Sequence, residues 1–216
     1  MRKNGRRIAL ALILLYLCAA AFALWRIVIP SQKWYSAQTL GIDELCSSHD
    51  ENGNGIDDYH DLVAGARAYV ESGPSYQSIY YAGGYPDDEH GVCTDVIWHA
   101  FAQAGYALKD MVDADIAIDR SVYGIDTPDP NIDFRRVRNL QVFFQRHALT
   151  LDADSDEPED WQPGDIVIYH EHIALCSDRR NAEGFPFIIH FDGWGAREAD
   201  ELKRYDALAH FRWPQE

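Results

Sequence analysis

Apolar residues recur at helical spacing through the middle of the chain and at strand spacing towards its end. Leu62, Val63, Ala66, Tyr69 and Val70 share one face of a helix that Gly73-Pro74 ends. Cys93, Val96, Ile97, Ala100, Phe101 and Ala104 form a second stripe, which Gly105 stops. Further helices are expected over 109–119 and 139–148, the second built around Leu140, Phe143 and Phe144. Between them TPDPNID reads as an extended, turn-rich loop. After an acidic stretch at 152–160 and the turn WQPGD, the pattern changes. DIVIYH, HIALCSD, PFIIHF and the terminal ALAHFRW read as β-strands. Helices first and an antiparallel sheet afterwards predict an α+β fold.

A different pattern precedes this body. Ile8 to Trp25 is an uncharged run of 18 residues, close to the ~20 needed to span a bilayer. Arg2, Lys3, Arg6 and Arg7 precede it and only Arg26 and Lys33 follow closely, so the bias of positive charge puts the N-terminus in the cytoplasm and the body outside. The expected layout is a cytoplasmic tip and transmembrane anchor over 1–30, a stem over 31–49 and a folded domain over 50–216. A cleaved signal peptide is the alternative, because Ala21-Phe22-Ala23 resembles a small-residue cleavage site and would leave a secreted domain.

Charge narrows the partners. The whole chain carries −16, and beyond residue 33 there are 13 basic against 35 acidic residues, or −22. Such a body lacks the Lys/Arg patches that phosphates require, so no nucleic-acid partner is expected. Of four cysteines, Cys18 falls in the apolar run, and Cys46, Cys93 and Cys176 leave at least one thiol unpaired in the body. Whether Cys176 pairs with Cys46 stays open.

One loop carries metal chemistry. DENGNGIDDYHD has the spacing of a calcium loop, with Asp50, Asn52 and Asn54 at ligand positions 1, 3 and 5 and Gly55 at the turn. Ile56 offers a carbonyl at 7, Asp58 lies at 9 and Asp61 at 12. Asp replaces the usual Glu at 12, and the same residues suit an ordinary helix entry. A structural Ca²⁺ is therefore an expectation, and no other cofactor is expected for catalysis.

Cys93 lies at the first turn of its helix, where backbone N–H groups and the helix dipole favour a thiolate. Taken by itself, such a cysteine is as well explained by packing. His172 starts one strand and His190 ends the next, and antiparallel pairing brings those ends together. A thiol nucleophile needs a base, and the base an orienting partner.

YYAGGYPDDEHGVCTDVIWHAFAQAG resembles the tyrosine, double-glycine and cysteine-helix segment of NlpC-type cell-wall cysteine peptidases. PGDIVIY, HIALCSD and IIHF are similar to that superfamily's later strands, in the same Cys, His, His order. Over most of 50–212 the chain is more similar still to a bacterial family known as domain of unknown function 1287, through GVCTDVIW, NIDFRR, PGDIV and the terminal strand. The resemblance implies a papain-like NlpC-type fold, with Cys93 as nucleophile, His172 as base and His190 orienting it. Tyr80, Tyr81, Thr94 and Asp95 would line the oxyanion side. Val92 and Thr94-Asp95 replace the Asp and Ser-Gly that usually flank such a cysteine. Phe191 also stands where a small residue usually follows the second histidine.

The polar PDPNIDFRR stretch reads either as a substrate-binding loop, with Arg135 and Arg136 meeting a carboxylate, or as an ion-paired turn. Trp194 follows His190 closely enough to border a cleft. The function the resemblance implies is a membrane-anchored, outward-facing thiol hydrolase acting on an amide of peptidoglycan stem peptides. Acyl or amide transfer at the same site, or a non-catalytic, calcium-stabilised envelope-binding module, are the alternatives.

Overall fold

The computed structural model describes residues 32–86 and 89–215, so the apolar run at 8–25 lies outside the described residues. Among the described residues no helix is long and apolar enough to cross a membrane.

Residues 34–57 open with a short helix, α1 (Ala37–Leu40), followed by the loop that leads into α2 (Asp58–Glu71). The carboxylate of Asp57 accepts the Tyr59 N–H and caps α2. A two-residue parallel pair, β1 (Ser75–Tyr76) with β2 (His90–Gly91), precedes α3 (Cys93–Gln103). Next come α4 (Leu108–Ile118), α5 (Arg120–Tyr123) and α6 (Val137–His147). Strands β3 (Leu149–Leu151), β4 (Ile166–Tyr169), β5 (His172–Arg180), β6 (Pro186–Asp192), β7 (Gly195–Ala199) and β8 (Ala209–Arg212) complete the chain. They form one antiparallel sheet in the order β3-β8-β4-β5-β6-β7. The α+β class expected from the sequence is the class observed.

The sheet is buried on both faces. Ile166, Ile168, Ile173, Leu175, Ile189 and Phe211 meet Val96, Ile97, Phe101 and Phe144 in the main core. Val167, Tyr169, Ala174, Cys176 and Ile188 turn the other way, against Trp161 and Leu202. Two apolar faces explain why the strands read as continuous apolar runs with little polar alternation. Helices α2 and α3 approach closely because residue 65 is glycine: a Cβ there would lie 2.5 Å from Gln103 Cβ and 2.7 Å from the His99 carbonyl oxygen.

The stem expected over 31–49 is largely part of the folded body, since Trp34–Glu216 forms one compact unit. Tyr35 bridges to Arg180 at the end of β5, and the Leu45 N–H donates to Gln162 Oε1 at 2.9 Å. Apolar periodicity is silent here because side chain–backbone and backbone–backbone hydrogen bonds hold the segment. The cysteine question resolves plainly: Cys46, Cys93 and Cys176 are all free.

Candidate functional site

The start of α3 is locked from below. Asp95, at its third position, accepts the Val92 N–H at 2.7 Å and the Trp98 Nε1–H at 2.8 Å. Arg135 forks across the same carboxylate at 2.7 and 2.8 Å, and its third nitrogen donates to the Ile79 carbonyl. Thr94 Oγ1 donates to the Arg135 carbonyl at 3.1 Å. Asp95 and Thr94 therefore position the Cys93 helix and do not themselves line an open site. The substrate-binding role read for Arg135 is corrected too. Its side chain is only 2 % exposed, and every hydrogen bond it makes is internal to the protein.

Cys93 is buried at the head of this helix. The nearby backbone N–H groups of Ile173, Thr94 and Cys93 favour its thiolate. Burial outweighs these donors and pushes the thiol up to about 11. The thiolate favoured by a helix N-terminus is thus not the resting form. Tyr76 stands close enough that Cys93 adds to the burial that raises its phenol, and its ring packs edge-on against Phe191 at 5.2 Å. Tyr76 carried no motif, and only the short β1–β2 pairing places it here.

His172 precedes Ile173, so one peptide unit separates it from the N–H that favours the Cys93 thiolate. The register that pairs Leu175 with Ile189 makes His172 and His190 diagonal neighbours on one face. His172 Nε2 lies 3.0 Å from His190 Nδ1. This face is opposite the helical core, so the thiol and the histidines approach the rim of the sheet from its two sides. Burial lowers the pKa of His172, and burial followed by the charge of Arg197 lowers that of His190 to about 4. Both imidazoles are neutral at pH 7. Beyond them, His190 Nε2 sits 3.1 Å from Glu201 Oε2, and Arg197 holds both Asp192 and Glu201. The histidines open into a cavity of about 450 Å³, also lined by Tyr169, Ile188, Tyr205 and Leu208.

The remaining candidates lie apart. Tyr80 is 57 % exposed and donates to Asp129, while Tyr81 is buried beneath the Arg135 guanidinium. Exposed Arg136 pairs with the buried Asp133 at 3.3 Å, and Trp194 is 89 % exposed at the turn into β7. Asp165 anchors the last strand, accepting Arg212 at 2.7 and 2.8 Å and lying 2.8 Å from His210 Nε2. Glu201 and Arg197 were missed because no spacing links them to His190 before β6 and β7 pair.

Among the described residues three places gather metal-type ligands, one of them Cys46, Asp57 and His60, where His60 Nδ1 lies 2.6 Å from Asp57 Oδ2. In the 50–61 loop, Asp50 accepts the Asn54 and Gly55 N–H groups, and the Asn52 and Asn54 amides both turn to Asp61. Asp50, Asn52, Asn54 and Asp61, with the Ile56 carbonyl, would be the residues to hold a Ca²⁺, once the two amides, which now donate to Asp61, turned over. Asp58 is withdrawn, bound to the Glu51 N–H and the Tyr106 hydroxyl. His190, Asp192 and Glu201 also bring ligand atoms together within 4.8 Å. There Arg197 and Arg204 already pair with the two carboxylates, which makes the group an ion-pair network.

The described residues thus define an α+β domain whose sheet rim carries a thiol and a linked pair of histidines. The chain belongs to the family described as domain of unknown function DUF1287, whose model matches residues 63–213. It is 36 % identical over 165 residues to the uncharacterised protein YijF of Escherichia coli (strain K12), covering 70 % of this chain and 80 % of that one. No solved structure matches it significantly.

Proposed function

We propose that this protein is a thiol hydrolase that cleaves an amide bond, with peptidoglycan stem peptides as its substrate. The observation that carries the reading is the His172–His190 contact at 3.0 Å, one peptide unit from the Ile173 N–H that favours the Cys93 thiolate. The order Cys, His, His and the papain-like resemblance support it.

Cys93 Sγ attacks the substrate carbonyl while its proton passes to His172, because burial keeps the resting thiol protonated. Backbone N–H groups at the start of α3 are the donors available to the oxyanion. His172 then gives the proton to the leaving amine as the C–N bond breaks. Water, deprotonated by the same imidazole, opens the thioester and frees Cys93. An N-terminal anchor with the domain outside the membrane would put this site at its substrate.

Incubating the full chain with muropeptides, beside Cys93→Ala, tests the reading. Cleavage confined to the wild type supports it, and equal cleavage by both removes Cys93 from the mechanism. Product masses separate hydrolysis from transfer to another amine. The buried, protonated thiol favours one second reading, a non-catalytic module, for which neither protein releases product.

A further inference from the structure

We propose that Glu201 is a positioning residue that fixes the tautomers of both histidines and leaves the free lone pair of His172 on Nδ1. The inference rests on the reading of His172 as the base, but its core is a matter of ring protons alone. His190 is 2 % exposed, and its Nε2 makes no hydrogen bond. Glu201 Oε2 lies 3.1 Å away, off the line of the ring N–H. That carboxylate stays ionised: against the penalty of burial, the Arg197 hydrogen bond holds it below the usual range, and Arg204 binds its other oxygen at 2.6 Å.

A lone pair on His190 Nε2 would lie beside a negative oxygen 3.1 Å away, which repels it and favours the proton there. The groups around His190 are His172, Asp192, Glu201 and Arg197, and burial with Arg197 keeps the ring neutral. A neutral imidazole carries one proton, which leaves Nδ1 bare. His172 Nε2, at 3.0 Å from that bare nitrogen, must then be the donor. His172 is also neutral, so its own Nδ1 is left as an acceptor. One carboxylate on the β7–β8 connection, two rings away, decides which nitrogen of His172 is basic. Without it, His190 is free to carry its proton on Nδ1, which would place the His172 proton on the nitrogen that has to act as base.

The test is nitrogen NMR of the full chain labelled with ¹⁵N-histidine, with assignments from His172→Gln and His190→Gln. In the wild type both rings should be protonated at Nε2 and bare at Nδ1. Glu201→Leu should shift both rings towards protonation at Nδ1, and Glu201→Asp should restore the original pattern. A wild-type His172 protonated at Nδ1, or tautomers unmoved in Glu201→Leu at an unchanged urea midpoint, would overturn the proposal. On muropeptides, Glu201→Leu should lose roughly ten- to hundredfold in kcat with KM little changed. If Cys93→Ala cleaves as well as wild type while the tautomers follow Glu201, the hydrolase reading fails and the tautomer relay stands.

Discussion

Arg135 lies forked across Asp95, its Nε and Nη2 at 2.7 and 2.8 Å from the two carboxylate oxygens, although 40 residues separate them. Both side chains are buried, and the pair ties the NIDFRR segment to the first turn of the cysteine helix. Removing either partner leaves an uncompensated buried charge. Arg135→Ala should therefore lower stability by about 3–5 kcal/mol, read as a fall in the urea midpoint. A loss within 1 kcal/mol would mean that water solvates the pair.

The Cys93 thiol should alkylate slowly at neutral pH. Burial holds it protonated, with a value of about 11. The rate of iodoacetamide modification should rise up to pH 10 and beyond, with no plateau near 7. A midpoint below the ~8.5 of a free thiol would reveal a stored thiolate and contradict the burial argument.

Stability should fall on acidification before ordinary carboxylates protonate. His99 and His190 are each held neutral by burial, at about 4. In the unfolded chain a histidine takes its proton near 6.5, so the unfolded state binds more protons between those values. The contribution is complete above pH 6.5 and is lost as pH drops towards 4. Urea midpoints at pH 7, 5.5 and 4.5 should decline for wild type and decline less for His99→Phe.

Calcium should stabilise the domain through the 50–61 loop. Asp50, Asn52, Asn54 and Asp61 are already joined by hydrogen bonds, so little rearrangement is needed beyond turning two amides. With Asp58 committed elsewhere, the affinity belongs in the weak range, and calcium at tenfold its Kd should add about 1.4 kcal/mol. That corresponds to roughly 2–5 °C in Tm, abolished by EDTA and by Asp50→Ala. An unchanged Tm would reduce the loop to the cap of α2.

Much of the main frame was legible because it rests on local periodicity. The stripe from Cys93 to Ala104 and the apolar runs around Ile168, Ile173 and Ile189 each declare an element without reference to any other. Short elements escaped. β7, GAREA, has no apolar run, since it is held at the sheet edge by pairing with β6 and by its charged side chains. The segment from Trp34 to Cys46 read as a stem because hydrogen bonds to Arg180 and Gln162, and no apolar stripe, attach it to the body.

By itself the sequence determined the α+β order, the place of Cys93 at a helix start and the two histidines at facing strand ends. Those are facts of spacing and pairing. Only the tertiary structure decided what the polar residues do. Arg135 could be a substrate ligand or part of an ion-paired turn until Asp95 claimed it, and Asp165 is bound by Arg212 and lies against His210, both on the last strand. The protonation of Cys93 and the Glu201 contact to His190 likewise depend on burial and on side chains that are distant in sequence. Charge pairing acts through space at 3 Å, and a linear pattern carries no record of which residues the fold will bring that close.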